Sequence, residues 1–496
     1  MNRELWYNTA MKNNTTSSGA LSRRGFFGSM GAFSLLAGTR LAHAEATALS
    51  GEPDVRFGVL SDVHLNHSRP DDHDTLVKAF EYFRDRGVDG VIVAGDIADC
   101  GRISELRRFA DAWKSVFPGD RGLGGRHVEK LFIYGNHDIW GMHWSIKKDP
   151  ELARKEGIAF TDERPAQVWE EVFGEPYSDF WIKNVKGFAF IGGHWTKKDQ
   201  FDGLEAFLAA HAKEIDPAKP FFYTQHSHPK DTCIGPWAWG RDNGASTRAL
   251  SKHPNAVAFS GHSHYPLTDE RTVWQGAFTS INTASLRYCS QDLSLRENLI
   301  GNAHSFTGEK RKHLMKPLET SNSRHGMLVS VYGELLAIER RDFVSGRSLG
   351  DDWTIRVPCR EDRSFAARAK ERSAPQFAAD AKVEVAVENG LLAVHFPAAK
   401  TVKKCRVFEY EVTATLVEDG VDLVQAQRRV VANDFHMPES PEGAPGVCLF
   451  SPDELPIKGH TVFSVRPLEC FGRKGAPISG EFDTAAAVPK EEKAKS

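Results

Sequence analysis

Five short polar segments, each directly following an apolar run rich in β-formers, constrain this chain more than any other feature. They are Ser61-Asp62-Val63-His64, Gly95-Asp96, Gly135-Asn136-His137-Asp138, Gln225-His226 and Gly261-His262-Ser263-His264. The runs before them predict strands over 55–60, 88–94, 130–134, 221–224 and 256–259, with helices over 74–86 and 104–117 between the first of them. Loops that leave the carboxyl ends of such strands meet at one edge of the sheet, where ligands bind. The sequence therefore predicts an α/β fold in which five polar loops build one cluster.

The side chains of this cluster are typical of a site for divalent metal ions. Imidazole nitrogen, carboxylate oxygen and amide oxygen suit borderline or hard cations, and no cysteine belongs to the set. Two cations need a bridging ligand to offset their repulsion, and a carboxylate such as Asp96 can supply it. A two-metal site clamps the attacking and leaving oxygens of an in-line displacement, and a metal-bound water is acidified enough to attack phosphorus near neutral pH.

The ordered pattern D-x-H, G-D, G-N-H-D, H, G-H-x-H resembles that of the calcineurin-like metallophosphoesterases, over roughly residues 54–340. The resemblance implies a two-sheet αββα sandwich that holds two divalent ions, with manganese, iron, zinc and nickel all acceptable. It implies that Asp62, His64 and His264 hold the first ion, that Asp96 bridges, and that Asn136, His226 and His262 hold the second. It also implies that His137 contacts the phosphate and stabilises or protonates the leaving oxygen, with Asp138 orienting its ring.

Two positions of the pattern leave alternatives open. Either His226 or His228 could be the ligand in the fourth segment, and His226 is preferred because it directly follows the strand. Asp99 could orient a metal ligand from behind, or it could be a solvated carboxylate or a helix N-cap. Purple acid phosphatases carry a tyrosine ligand where this chain has Asp99, so the purple subclass is disfavoured.

The function expected from this resemblance is hydrolysis of a small phosphate ester. A phosphodiester or nucleotide-like substrate is slightly favoured over a phosphomonoester, because tryptophans cluster around the motif segments and could stack on a base. Ordinary loop packing is the alternative for these tryptophans, which are Trp140, Trp144, Trp195, Trp237 and Trp239. His194, after another predicted strand end, is a weaker candidate for the site. The competing class of function is a non-catalytic scaffold that keeps the fold to bind a partner.

The first 44 residues resemble a twin-arginine export signal. Leu21-Ser22-Arg23-Arg24-Gly25-Phe26-Phe27 precedes an apolar stretch that reaches Leu41, and Ala42-His43-Ala44 offers a small-x-small cleavage site. The apolar stretch is shorter than the ~20 apolar residues that span a bilayer, so a transmembrane anchor is not expected. These features predict a periplasmic or secreted enzyme.

The 496-residue chain is long enough for two domains. We predict a catalytic domain over 52–345 that contains a polar insertion at 287–324, which either lies on the surface or borders the active site. Alternating strands separated by turns predict an antiparallel β-sandwich over 374–485, and a solvated, disordered tail over 486–496. The sandwich resembles a fibronectin type III or immunoglobulin-like module and could bind a cell-surface partner.

The net charge and the cysteine count each add one expectation. The formal net charge is −3, so binding to duplex nucleic acid is not expected. Because the chain has seven cysteines, at least one thiol is unpaired. One disulfide could form among Cys405, Cys448 and Cys470, and their spacing does not identify which two would pair.

Overall fold

The computed structural model describes residues 51–141, 150–151, 164–196, 201–233, 242–289, 323–359, 361–400, 402, 406–432, 444–455 and 457–483. The expected export signal and the C-terminal tail lie outside these residues, as does nearly all of the polar insertion. Among the described residues, no helix has both the length and the apolarity that crossing a membrane requires.

Twelve strands of the described chain, between Val55 and Arg356, form two six-stranded sheets. They are β1 (Val55–Leu60), β2 (Gly90–Ala94), β3 (Glu129–Ile133), β4 (Phe180–Val185), β5 (Phe188–Gly193), β6 (Phe221–Thr224), β7 (Ala256–Ser260), β8 (Val273–Gln275), β9 (Thr279–Asn282), β10 (His325–Tyr332), β11 (Leu335–Asp342) and β12 (Trp353–Arg356). The first sheet has the order β12-β11-β10-β1-β2-β3 and the second the order β4-β5-β6-β7-β9-β8. Strands β1, β2 and β3 run parallel to one another, as do β5, β6, β7 and β9. Each sheet thus has a parallel part whose carboxyl ends share one edge.

Helices cover the outer face of each sheet, and the two inner faces pack on each other. The helices are α1 (Pro70–Asp85), α2 (Ile103–Val116), α3 (Arg164–Phe173), α4 (Leu204–Ala210) and α5 (Ala245–Leu250). Between the sheets, the ring of Phe57 on β1 meets those of Phe190, Phe222 and Phe259 with centroids 5.1, 4.8 and 5.9 Å apart. These strands read as continuous apolar runs because both of their faces are buried. The predicted αββα sandwich is confirmed.

The described residues of the C-terminal part are antiparallel and all β apart from one short helix, α6 (Phe365–Glu371). Its strands are β13 (Glu384–Glu388), β14 (Leu391–Phe396), β15 (Val407–Glu418), β16 (Val421–Val431), β17 (Gly446–Phe450), β18 (His460–Glu469) and β19 (Ile478–Asp483). They form a three-stranded sheet, β13-β14-β17, and a four-stranded sheet, β16-β15-β18-β19. Leu392 and Phe450 of the first sheet share one buried core with Val412 and Phe463 of the second. The region is therefore a two-layer β structure, as its alternating pattern predicts.

Partly buried arginines connect this region to the second sheet of the α/β part. Arg271, just before β8, donates to the buried carboxylate of Asp269 at 2.6 Å, and its guanidinium lies 4.4 Å from the ring centroid of Phe408 on β15. Arg368 on α6 donates to main-chain carbonyls next to β8 and lies 5.1 Å from the ring centroid of Phe471. The cation–π contact of Arg271 with Phe408 and the hydrogen bonds of Arg368 join the segment that follows β7 to the C-terminal region.

Several boundaries differ from those the sequence predicts. The first sheet continues beyond residue 345, because β12 pairs with β11 at its edge. Helix α1 begins at Pro70 rather than at residue 74, since proline is well accommodated in a first helical turn. Strand β19 adds one strand to the C-terminal sheet, although its polar, glycine-containing sequence does not indicate a strand. Cys448 and Cys470 form no disulfide with each other, and Cys405 lies outside the described residues.

Candidate metal centre

All five polar segments lie at the shared carboxyl edge of the two sheets. Asp62 follows β1, and its backbone N–H donates to the carbonyl of Gly95 after β2. His226 follows β6, and the carbonyl of His226 accepts from the N–H of Gly261 after β7. The two sheets are joined at this edge, because the carboxylate of Asp62 accepts from the backbone N–H of His262 at 2.9 Å. Segments that are 200 residues apart in sequence are thus brought into contact.

Asp62, His64 and His264 form one group of side chains able to hold a cation. Their ligand atoms lie within 4.8 Å of one another. His264 Nε2 is 3.0 Å from Asp62 Oδ1 and 3.2 Å from His64 Nε2. All three residues are buried. This is the set that the family pattern assigns to the first ion.

Asp96, His226 and His262 form a second such group. His226 Nε2 lies 3.1 Å from Asp96 Oδ2 and 3.3 Å from His262 Nδ1. The same Oδ2 atom of Asp96 is 3.6 Å from His64 Nε2 of the first group. One carboxylate oxygen therefore stands between the two groups, as a bridging ligand requires.

The orientation of each ligand is set by the atom that does not face the site. Asp96 Oδ1 accepts from the backbone N–H of His137 at 2.7 Å, which leaves Oδ2 for the two histidine groups. His226 Nδ1 donates to the carbonyl of Ala94 at 2.7 Å, and His264 Nδ1 donates to that of Tyr288 at 3.1 Å. In both rings the Nε2 atom is turned toward the site. Hydrogen bonds of this type fix the tautomer of metal-binding histidines.

The backbone around the site is held in conformations that few residues adopt. Five of the assigned ligands have positive φ angles, between 48° and 68°: Asp62, His64, Asp96, His262 and His264. Such left-handed conformations cost roughly 1–2 kcal/mol each for residues with a side chain. Strain of this kind persists where the surrounding structure imposes it and is concentrated at functional sites.

Two glycines allow the segments to approach each other. A Cβ atom on Gly135 would lie 2.2 Å from Asp96 Oδ1, and one on Gly261 would lie 1.9 Å from the hydroxyl of Ser61. Neither distance is compatible with a side chain. That Ser61 hydroxyl also donates to Asp62 Oδ2 at 2.6 Å, so the absence of a Cβ at Gly261 preserves the contact that orients Asp62.

The electrostatics of the cluster favour added positive charge. Burial disfavours a charged His64, yet its contacts with Asp62, Asp99 and Asp96 raise its pKa to about 10. Burial acts the same way on His226, and Asp96 outweighs it and raises the pKa of His226 to about 9. The charged histidines in turn hold the pKa values of Asp62 and Asp96 below their usual range, against burial. The carboxylates thus attract protons onto their ligand partners, and a cation bound here would displace those protons.

These residues fit a pair of divalent ions. Ligand bonds of 2.0–2.1 Å around a tetrahedral ion put neighbouring nitrogens about 3.3 Å apart. The two pairs of histidine nitrogens facing the site are separated by 3.2 and 3.3 Å. Asn136 Oδ1 is buried and, among the described residues, has no hydrogen-bond partner. An amide oxygen in that state is suited to a cation as its missing partner.

His137 stands at the rim of the site, and its side chain is 29% exposed, more than those of Asp62, His64, Asp96, His226 and His264. Its Nδ1 donates to the main-chain carbonyl of Asp99 at 2.8 Å. Burial lowers its pKa, against the charge of Asp96.

The expectation that Asp138 orients the ring of His137 is corrected by these contacts. Both carboxylate oxygens of Asp138 accept backbone N–H groups, from Ala98 at 2.7 Å, Gly135 at 2.8 Å and Ile97 at 3.2 Å. Burial and the charge of Asp96 raise the pKa of Asp138 to about 7, while these amides oppose the shift. Its side chain turns back into the protein beneath the loops, so it fixes the two loops against each other. The anchor of the His137 ring is Asp99.

Of the roles that the sequence allows for Asp99, the structure supports that of a residue behind the candidate ligand His64. Its Oδ1 lies 3.3 Å from His64 Nδ1, and helix α2 has Arg102 rather than Asp99 as its N-cap residue. The same carboxylate accepts from Asn66 at 2.8 Å, Arg69 at 3.0 Å and Arg287 at 2.7 Å. Asp99 therefore links His64 to a shell of donors.

The sequence analysis did not identify the donors to Asp99. Arg69 and Asn66 follow His64 within five residues, and that proximity was an available signal. Arg287 is 188 residues from Asp99, and nothing in its local sequence marks it. Tyr288, next to Arg287, lies with its ring centroid 4.4 Å from that of His264.

The remaining sequence candidates contribute to packing. His194 is buried and accepts from the N–H of Tyr134 at 3.0 Å, and burial lowers its pKa to about 3. Trp195 is 1% exposed, with its ring centroid 5.8 Å from those of His226 and His262, and Trp140 packs on the core beside α1 and α2. His228 is buried and belongs to none of the cation-binding groups found among the described residues. Trp144, Trp237 and Trp239 lie outside those residues.

Comparison with known proteins agrees with this geometry. Residues 55–266 match the family model of the calcineurin-like phosphoesterases. The matched range carries all of the assigned ligands. No curated protein matches the sequence.

Solved structures with similarity to the chain cover about three fifths of it. A dimetal phosphatase from Danio rerio is 14% identical, with a TM-score of 0.34, over 62% of this chain and 99% of that one. A purple acid phosphatase from yellow lupin seeds is 13% identical, with a TM-score of 0.38, over 62% of this chain and 55% of that one. Vps29 from Entamoeba histolytica, crystallised with zinc, is 11% identical, with a TM-score of 0.26, over 61% of this chain and 98% of that one.

The substitution Gly135→Ala tests whether close packing of the loops positions the bridging carboxylate. The new Cβ would displace Asp96 Oδ1, so we expect metal affinity to fall by at least about ten-fold while the fold is kept. Metal content after dialysis and a circular dichroism spectrum measure the two effects. Gly203→Ala is the matched control, because its Cβ would meet only the ring of Phe180, at 3.2 Å. Unchanged metal affinity in Gly135→Ala would contradict this account of the loop.

Proposed function

We propose that this chain is a dinuclear metal-dependent phosphoesterase that hydrolyses a small phosphate ester. The observation that supports the proposal most directly is the position of Asp96, whose Oδ2 lies within 3.6 Å of ligand nitrogens from both histidine groups. Two divalent ions bound there would acidify a water molecule and neutralise charge on the phosphoryl oxygens. Their identity depends on supply, because nitrogen and oxygen ligands accept manganese, iron, zinc and nickel.

The residues around a bound ester would have separate roles. Asp62, His64 and His264 would hold one ion, and Asn136, His226 and His262 the other, with Asp96 shared. His137, anchored through Nδ1, would present Nε2 to the phosphoryl group and hold or deliver a proton at the leaving oxygen. Asp138 would maintain this arrangement from below by tying together the loops after β2 and β3.

A phosphodiester or nucleotide-like ester is our first candidate for the substrate, and a phosphomonoester is the alternative. The buried Trp195 cannot stack on a base, so the tryptophans support this preference less than the sequence suggests. Tyr288 is the described aromatic ring that is partly exposed next to a ligand, 4.4 Å from His264. An aromatic wall of this kind suits a planar or apolar group on the ester.

Hydrolysis of bis-p-nitrophenyl phosphate and p-nitrophenyl phosphate, measured side by side with manganese, zinc, iron and nickel, tests the proposal. We expect turnover of at least one ester, with Asp96→Asn losing metal and activity together. We expect His137→Ala to lower turnover by about 10²–10⁴-fold and to retain its metal. His127→Ala is the control, because that exposed histidine pairs with Glu129 away from the site.

Two outcomes would contradict the proposal. The absence of turnover with every metal would favour the alternative of a non-catalytic scaffold. Equal metal loss in His137→Ala and Asp96→Asn would contradict the separate role given to His137.

We propose as well that the protein is exported by the twin-arginine route and acts in the periplasm or outside the cell. The support is the Arg23-Arg24 pair with Phe26 and Phe27 behind it, and the small-x-small site at Ala42 to Ala44. Replacing both arginines by lysine should leave the protein in the cytoplasm of a bacterium that exports the unaltered chain. Arg40→Lys is the control, and retention of the unaltered chain in the cytoplasm would contradict export.

A further inference from the structure

We propose that Arg287 binds a second anionic group of the substrate, on the leaving-group side of the reacting phosphoryl group. The inference rests on the proposed phosphoesterase function and narrows its substrate class. The expected substrate is an ester whose leaving group carries a carboxylate or a further phosphate.

Arg287 reaches the rim of the metal centre beside His137. Its Nη1 donates to Asp99 Oδ1 at 2.7 Å. The same oxygen atom lies 3.3 Å from His64 Nδ1 and 3.9 Å from His137 Nδ1. One carboxylate oxygen thus lies close to His64, to His137 and to the guanidinium of Arg287.

The guanidinium keeps binding capacity in this position. The contacts described for it use one of its three nitrogens. Its side chain is 23% exposed, whereas that of His64 is 3% exposed. A guanidinium offers five N–H donors in a planar fork and binds carboxylate or phosphate through two of them at once. Solvent-facing donors next to a phosphoryl site are therefore available to a ligand.

The neighbouring charges would allow Arg287 to turn from Asp99 toward a ligand. Arg69 lies 3.0 Å from Asp99 Oδ2 and 2.8 Å from Asp72, which Arg324 also contacts at 3.2 Å. These described contacts join three guanidinium groups to two carboxylates. Asp99 would remain paired with Arg69 if Arg287 turned toward a substrate. Arg287 and His137 both approach Oδ1 of Asp99, whereas Arg69 contacts Oδ2.

The neighbours of Arg287 indicate which end of the ester it would meet. His137 is the residue expected to act at the leaving oxygen, so a group attached to that oxygen extends past His137. The Arg287 guanidinium lies 5.4 Å from the ring centroid of Tyr288, which in turn packs against His264. The two residues form one wall, with an aromatic surface near the first group of ligands and a positive charge beyond it.

Binding of non-hydrolysable ligands to the manganese-loaded full-length chain tests this inference without requiring turnover. Benzylphosphonate carries the phosphoryl mimic alone, and 3-carboxybenzylphosphonate and 3-(phosphonomethyl)benzylphosphonate add a carboxylate or a phosphonate. We expect the unaltered protein to bind at least one doubly charged ligand about ten-fold or more tightly than benzylphosphonate, as a charge-assisted bidentate contact provides. Whichever ligand binds more tightly identifies the anion that Arg287 prefers.

Variants assign the effect to Arg287. In Arg287→Gln the ten-fold preference should fall to less than about three-fold, while the Kd of benzylphosphonate and the manganese content stay unchanged. Arg287→Lys should retain part of the preference, because the charge remains and the fork is lost. Arg324→Gln is the matched control, since it removes a guanidinium from the same network at a position 14% exposed, and it should leave the preference intact.

Three results would overturn the inference. One is that the unaltered protein binds all three ligands equally. Another is that Arg287→Gln weakens all ligands alike and loses manganese, which would make Arg287 a positioning residue for Asp99 and His64. The third is that Arg324→Gln removes the preference as strongly as Arg287→Gln, which would assign the effect to overall charge. Failure of the phosphoesterase proposal would show separately, as absent turnover in the ester assays.

Discussion

The carboxylate of Asp96 is the point at which the two halves of the metal centre meet. Its Oδ1 is held by the backbone of His137, and its Oδ2 faces both His226 and His64. This geometry requires β2 to lie between β1 and β3 in the first sheet and the end of β6 to lie above it in the second. It also requires glycine at position 135, where a Cβ would occupy the place of the carboxylate. The fold and the strained loop conformations thus serve the placement of one side chain.

Much of the site could be predicted because its signals are local. Each ligand segment directly follows an apolar run, and a parallel arrangement of such runs brings their ends to one edge. The positions that sequence could not settle depend on contacts between distant segments. Asp138 is adjacent to His137, yet its carboxylate turns toward the loop after β2, and the ring of His137 is anchored by Asp99 instead. Arg287 joins the site only because the chain after β9 returns to the end of β1.

The fold shows the same division between local and distant information. Apolar runs with buried faces identify β1, β6 and β7 in the sequence, whereas β12 and β19 are short or polar and become strands by pairing at sheet edges. The junction made by Arg271 and Arg368 was also not foreseeable, because an arginine pattern does not reveal its aromatic partners. That junction joins the segment that follows His262 and His264 to the C-terminal region.

Electron paramagnetic resonance of the manganese-loaded chain, combined with metal analysis, is the most direct test of a centre built on Asp96. A shared carboxylate requires two ions per chain about 3.5–4 Å apart. We predict a stoichiometry of two and the spectrum of an exchange-coupled manganese pair. One ion per chain, or two ions that give only uncoupled signals, would contradict the bridging role of Asp96.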